Sequence, residues 1–203
     1  MNRRNAFASL AAGALTAGLG GLLAGCTENK PQFKAVDLTG ADYAKDFQLP
    51  DQNGQVRTLK DFRGKLVVMF FGYTQCPDVC PTTLADLAEA KKLMGPDGAK
   101  VQGLFVTVDP ARDTPEVLKG YMANFDPSFL ALRGTPEQLA AVAKEYKVYY
   151  KKVDGKTPTS YTMDHSAANY VYDTKGRLRL YSRYDAGPQA LASDLQQLLK
   201  DAS

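Results

Sequence analysis

The chain has 203 residues, with 25 Lys and Arg against 22 Asp and Glu, and three cysteines. A balance this close to neutral, with no basic cluster and no aromatic residues interleaved among basic ones, lacks the electrostatic footprint of a nucleic-acid-binding surface. At this length one globular domain is expected, with a little chain to spare.

The spare chain is at the amino terminus. Residues 1–7 carry Arg3 and Arg4, and residues 8–23 are apolar and rich in Ala and Gly, ending in Leu23-Ala24-Gly25-Cys26. That is the layout of an export signal. It resembles a bacterial lipoprotein signal, cut before Cys26, which then becomes the lipid-bearing first residue. A retained membrane span needs about 20 strongly apolar residues, and this stretch is shorter and interrupted by Gly. The expected division is therefore a lipoprotein signal peptide over 1–25, a lipidated tether over 26–40 and a single domain over 41–203. Acyl chains on Cys26 give a membrane anchor without a transmembrane helix. Loss of Arg3 and Arg4 takes the basic count from 25 to 23, against 22 acidic residues. With Cys26 lipidated, Cys76 and Cys80 are the remaining thiols, and in an oxidising compartment they need a thiol reductant to stay reduced.

The domain reads as alternating elements. Residues 47–49 and 55–59 flank Asp51-Gln52-Asn53-Gly54, and the Asn-Gly pair predicts a tight hairpin turn. The apolar run 66–71 predicts a buried strand. Directly after it come Cys76 and Cys80 in Gly72-Tyr73-Thr74-Gln75-Cys76-Pro77-Asp78-Val79-Cys80-Pro81, with a helix starting near Cys80, Pro81 in its first turn, and continuing to Met94. Residues 101–108 predict a second buried strand. Thr114-Pro115-Glu116 and Thr135-Pro136-Glu137 each place a capping Thr before a Pro, so helices are expected to about Asn124 and Tyr146. A hairpin or loop over 148–163 is inserted before the antiparallel pair 167–172 and 178–184, and an amphipathic helix over 188–199 closes the chain. This order predicts an α/β domain with a thioredoxin-like central sheet flanked by helices, an N-terminal hairpin and the inserted hairpin or loop.

The dithiol sits at the carboxyl end of a strand, where open α/β sheets carry their chemistry. Free N–H groups and the dipole at the following helix's start are expected to lower the pKa of a nearby thiol. A disulfide this short adds little chain-entropy stabilisation, so a reactive or metal-binding pair explains the placement better than a structural bridge. His165, in Tyr161-Thr162-Met163-Asp164-His165-Ser166, is the chain's one histidine, at the entry to a predicted strand. A lone histidine is more often a hydrogen-bonded structural residue than a ligand. Two thiolates and one imidazole nevertheless make a soft set that suits Cu(I) and also holds Cu(II), whereas a closed zinc site wants a fourth protein ligand. Met163 is read as packing, and Tyr73, Tyr161 and Tyr170 serve equally as walls of a site or as core.

Three segments together, Phe71 through the dithiol to Pro81, Val108-Asp109-Pro110-Ala111-Arg112-Asp113-Thr114-Pro115-Glu116, and Asp164-His165-Ser166, resemble the Sco (SenC-type) family of membrane-tethered copper proteins that assist cytochrome c oxidase assembly. The likeness spans about residues 40–200. It implies a copper chaperone rather than an enzyme, with Cys76, Cys80 and His165 as metal ligands, and with Asp109 and Asp164 in a supporting or partner-docking role. Asp109 alternatively just ends a strand, and Asp113 caps or orients the following turn through Arg112. The implied cofactor is copper, as Cu(I), Cu(II) or both. The implied partners are the copper-site subunit of cytochrome c oxidase, a thiol reductant and another copper donor, on the periplasmic side of a bacterial membrane, the inner one if an oxidase is the client. The family is usually drawn with a transmembrane helix, where this chain offers a lipid on Cys26. The competing function is a thiol-disulfide oxidoreductase that uses Cys76 and Cys80 to reduce the oxidase's cysteines. Residues 161–168 hold no proline to set opposite the dithiol, although Pro158 is near.

Overall fold

A computed structural model describes residues 32–157 and 160–201. The signal peptide, Cys26 and Pro158 lie outside the described residues. In chain order the elements are β1 (Val36–Asp37), β2 (Leu49–Pro50), β3 (Val56–Arg57), β4 (Leu66–Gly72), α1 (Val79–Leu93), β5 (Val101–Thr107), α2 (Pro115–Met122), β6 (Leu130–Leu132), α3 (Pro136–Glu145), β7 (Tyr150–Val153), β8 (Thr162–His165), β9 (Ala168–Tyr172), β10 (Leu178–Arg183) and α4 (Pro188–Asp201). The main sheet has the order β1-β10-β9-β4-β5-β6. Its β4, β5 and β6 run parallel, while β9 pairs antiparallel with β4 and β10 antiparallel with β9. Two small hairpins, β2-β3 and β7-β8, form sheets of their own, the first bridged to the main sheet by Asp51 and Leu132. This is the thioredoxin-like α/β architecture that the order of elements predicts.

Every residue of β4 and of β5 is buried. Strands covered by helices on both faces read as continuous apolar runs rather than as alternation, which is why these two are the plainest elements in the sequence. Helices α1 and α4 pack against each other, and α4 buries Leu191, Leu195 and Leu198. Between sheet and helices lies an aromatic seam. Phe71 meets Tyr146 at 5.3 Å and Tyr170 at 6.0 Å between ring centroids. The hydroxyls of Tyr170 and Tyr172 donate to the carbonyls of Tyr146 and Ala44, so burial of these rings leaves neither polar tip unpaired. Both Thr-Pro starts behave as expected. Thr114 Oγ1 accepts from the Val117 amide and Thr135 Oγ1 from the Gln138 amide, each at 3.3 Å, and Gln138 reaches back to the Thr135 amide to complete a capping box.

Three local details add to what the sequence predicts. The β2-β3 connection is the tight hairpin turn expected at Asn53-Gly54, one residue longer than a two-residue loop. Gly54 N–H bonds the Asp51 carbonyl, Asp51 N–H bonds the Gln55 carbonyl, and Gly54 takes φ +81° while Asn53 stays out of the left-handed region. The Asp51 carboxylate holds this wider loop by accepting from the Asn53 and Gln55 amides and from Arg57. Strand β6 was unanticipated, because three residues are too few to show a period. Within the stretch read as tether, Lys34 and Ala35 already donate their amides to the buried carboxylate of Asp194 on α4, both at 2.8 Å, and β1 extends the sheet. Among the described residues no helix is long and apolar enough to cross a membrane.

Candidate metal centre

Strand β4 ends at Gly72, and the chain turns back through Tyr73 to Pro77 before α1 begins. Gly72 is a steric requirement. A Cβ there would lie 2.8 Å from Cys80 Sγ, from the Phe70 ring and from the Phe105 ring, so the thiol packs in the space a side chain would take. Cys80 is the second residue of α1, with Pro81 next, where the missing N–H is one the first turn leaves unbonded anyway. The Asp78 side chain makes no capping bond. Cys76 Sγ serves instead, accepting the Cys80 N–H at 3.4 Å and satisfying one of the helix's free donors.

The third corner comes from the inserted hairpin. His165 is the last residue of β8, not the start of the following strand, and its Nε2 lies 3.4 Å from Cys80 Sγ. Its Nδ1 lies 3.0 Å from the Ser166 carbonyl. A carbonyl only accepts, so Nδ1 carries the proton and the Nε2 lone pair is left facing the thiol. The imidazole is edged by the rings of Phe70 and Tyr73 at 6.0 and 5.8 Å. Among the described residues, Cys76, Cys80 and His165 are the one group of three His, Cys, Asp or Glu side chains whose ligand atoms converge, all within 4.8 Å of one another. A cleft of about 260 Å³ opens on Cys76 and His165, with Pro77, Val79 and Met163 and the acidic residues Asp78 and Asp164 also in its lining.

The electrostatics correct one expectation. Cys80 is fully buried, and burial pushes its thiol well above the ordinary range, outweighing the Tyr73 backbone bond that favours the thiolate. Burial likewise holds His165 below its ordinary pKa, against the opposite pull of the Ser166 carbonyl and the Asp164 charge. The site therefore presents a neutral imidazole and a protonated buried thiol, with half-exposed Cys76 at the mouth.

The acidic residues fall in different places. Asp164 is exposed, on the face of β8 opposite His165 and paired in register with Lys151, so it acts on the imidazole only through its charge. Asp109 is buried and spends its oxygens on Arg112 Nε and on the Tyr161 hydroxyl, the latter at 2.8 Å. Asp113 does not work through Arg112. Its carboxylate accepts from Thr107 Oγ1 at 2.5 Å, from Thr74 Oγ1 at 2.6 Å and from the Thr74 amide at 3.1 Å, tying the dithiol loop to the end of β5. Of the tyrosines, Tyr73 walls the imidazole, Tyr170 is core, and Tyr161 belongs with Asp109. Met163 lies on the same face of β8 as His165 and packs against the core. Sequence reading missed Gly72. The signal was there, a glycine closing an apolar run just before two cysteines.

This donor set fits a soft, low-coordinate metal ion. Two sulfurs and one imidazole nitrogen, prearranged and joined by no fourth His, Cys, Asp or Glu among the described residues, match Cu(I) better than structural zinc. Relatives and solved structures agree on what the chain is similar to. A SCO2-like protein of Rickettsia felis is 34% identical over 173 residues, covering 84% of each chain. The structure of Bradyrhizobium japonicum ScoI with copper bound matches at 45% identity and TM-score 0.69, covering 75% of this chain and 97% of that one. Yeast Sco1 with copper bound matches at 34% identity and TM-score 0.70, covering 76% and 87%. The SCO1/SenC family model matches residues 36–200, through both cysteines and the histidine, and the chain belongs to that family.

Proposed function

We propose that this protein is a copper chaperone, binding one copper ion through Cys76 Sγ, Cys80 Sγ and His165 Nε2 and handing it to the copper-site subunit of cytochrome c oxidase. The observation that carries the reading is the convergence of these three atoms within 4.8 Å, from a loop, a helix start and a separate hairpin. The copper-bound state of the Bradyrhizobium and yeast relatives supports it. Cys80 and His165 are held from behind, whereas Cys76 is half-exposed and makes the natural exchange point. An incoming acceptor thiolate bonds the ion as the bond to Cys76 breaks, the freed thiolate takes a proton from water, and no electron moves if the cargo is Cu(I). Oxidation of Cys76 and Cys80 to a disulfide removes two of three ligands, so a thiol reductant must precede loading. A lipid on Cys26 would keep the domain on the periplasmic side of a bacterial membrane, within reach of a membrane-bound oxidase.

The test is an anaerobic Cu(I) titration of the reduced full chain in detergent, competing against a chelator, with His165→Ala beside wild type. One tight ion in wild type and marked weakening in the variant support the three-ligand site. Equal, weak binding in both makes His165 structural and turns the dithiol toward the oxidoreductase reading.

A further inference from the structure

We propose that Arg112 is a positioning residue for the metal centre, latching the β7-β8 hairpin to the dithiol loop and so holding His165 over the two thiols. The proposal rests on the copper reading for its consequence, but its geometry is independent of any metal. Strands β7 and β8 pair only with each other and share no ladder with the main sheet. At the base of the hairpin the backbone closes on itself, Ser166 N–H to the Tyr149 carbonyl and Tyr149 N–H to Ser166 Oγ. Nothing in that ladder aims the hairpin at Cys80. Side chains must do so, and the inward face of β8 and the residue before it offers Tyr161, Met163 and His165 in alternation.

Arg112 grips the Tyr161 end of that face. Its Nη1 donates to the Tyr161 carbonyl at 2.8 Å and to Gln75 Oε1 at 3.0 Å, and its guanidinium lies 3.5 Å from the centroid of the Tyr161 ring. Its Nε pairs with Asp109, which in turn accepts the Tyr161 hydroxyl, so Tyr161 is held at its backbone carbonyl and at its hydroxyl. Gln75 adjoins Cys76, and Tyr161 leads into the strand that ends at His165. One guanidinium thus spans the segment carrying the first ligand and the segment carrying the third. Its Nη2 is buried without a hydrogen-bond partner, and the guanidinium lies 5.7 Å from the Tyr73 ring, which also edges His165. A donor left unspent against aromatic faces marks a group held for its planar fork and its stacking. Lysine has neither.

The experiment compares wild type, His165→Ala, Arg112→Gln, Arg112→Lys and the His165→Ala/Arg112→Gln double variant, as full chains in detergent. In the reduced, metal-free proteins, hydrogen exchange is followed over residues 160–165. The same proteins then receive Cu(I) against a chelator, and Cu(II) for the nitrogen coupling of a bound imidazole. Arg112→Gln is expected to speed exchange in the hairpin, to weaken copper binding about 10- to 100-fold, and to lose the nitrogen coupling. It should add little once His165 is gone, and Arg112→Lys should not rescue it. Unchanged hairpin exchange, retained nitrogen coupling, or a loss that simply adds to that of His165→Ala overturns the latch. If Arg112→Gln does not fold, Arg112→Lys, which keeps the charge but not the planar fork, carries the same readouts, and wild-type exchange and coupling in it overturn the latch. If wild type binds no copper while Arg112→Gln still frees the hairpin, the copper reading falls and the latch stands.

Discussion

His165 Nε2 stands 3.4 Å from Cys80 Sγ across 85 residues of sequence, and both groups are held from behind. The imidazole is bonded at Nδ1 to the Ser166 carbonyl and edged by Phe70 and Tyr73. The thiol is packed where a side chain at position 72 would be. Two of the three converging groups are therefore in place before any metal arrives, and for a metal bound through them little ordering cost would remain. The third, Cys76, is the accessible one, so the centre combines a fixed floor with an exchangeable edge.

That asymmetry predicts unequal thiol reactivity. In the reduced, metal-free protein near neutral pH, iodoacetamide should modify Cys76 first, and Cys80 at least about tenfold more slowly, since only an accessible thiolate reacts and burial keeps Cys80 both protonated and covered. Mass spectrometry of tryptic peptides over a time course measures it. Equal rates at the two positions would contradict the buried placement of Cys80.

Gly72→Ala tests the floor itself. The added Cβ meets Cys80 Sγ, Phe70 and Phe105 at 2.8 Å each. Overpacking of this kind costs about 1–3 kcal/mol, and any relief that moves the Cys80 thiol displaces it from Cys76 and His165. Urea denaturation should show the destabilisation, and copper affinity should fall with it. A variant with wild-type affinity would mean that Cys80 can shift without losing its place as a ligand.

The parts of this protein legible from sequence are those whose signals are local. Strand β4 announces itself by burial on both faces, α2 and α3 by their Thr-Pro starts, and the dithiol by its place between a strand and a helix. What was illegible depends on long-range approach. No period reveals β6 or β1, which exist because a neighbouring strand offers an edge. The carboxylate of Asp113 had its partners in Thr74 and Thr107, on two other segments, while Arg112 beside it turned to Asp109 and across 49 residues to Tyr161. The expectation of low-pKa thiols weighed the helix start and omitted burial, which for Cys80 is the larger effect. The resemblance to the Sco family picked out three residues that the fold brings together, but that the histidine arrives on a separate hairpin is visible only in the structure.

Asp113 predicts a pH dependence of stability. Burial raises its pKa above the ordinary 3.8, with the Thr107 and Thr74 bonds pulling the other way. The folded state therefore holds this proton more tightly than the unfolded chain does. Its contribution to stability is fully present below pH 3.8 and is lost as pH rises through the raised value, above which the buried charge is a cost. Asp113→Asn keeps an acceptor oxygen for Thr107 Oγ1 and the Thr74 amide, turns an NH2 donor toward Thr74 Oγ1, which can accept it, and removes the titration. The stability of wild type minus that of Asp113→Asn, from urea curves at a series of pH values, should be most favourable to wild type at the acid end and decline to a plateau towards neutrality. A difference that grows with pH would reverse the sign and show that the threonine bonds outweigh burial.

Asp194 predicts where the globular unit begins. Its carboxylate, buried on α4, accepts the Lys34 and Ala35 amides at 2.8 Å each, just ahead of β1. Hydrogen bonds to a charged acceptor contribute about 1.5–3 kcal/mol each and are not fully additive, so Asp194→Ala should cost about 2–4 kcal/mol. Asp194→Asn retains one acceptor oxygen and should fall between. The loss is local in its first effect: β1 pairs with β10 at only Val36 and Asp37, too short a ladder to hold the segment alone. Limited proteolysis of the Ala variant should therefore cut between residues 32 and 38 under conditions that leave wild type intact, while Cu(I) affinity is retained, because β1 is separated from β4 by β10 and β9 in the sheet. A resistant segment in the variant would mean that pairing along β10, and not the carboxylate, sets the boundary between tether and domain.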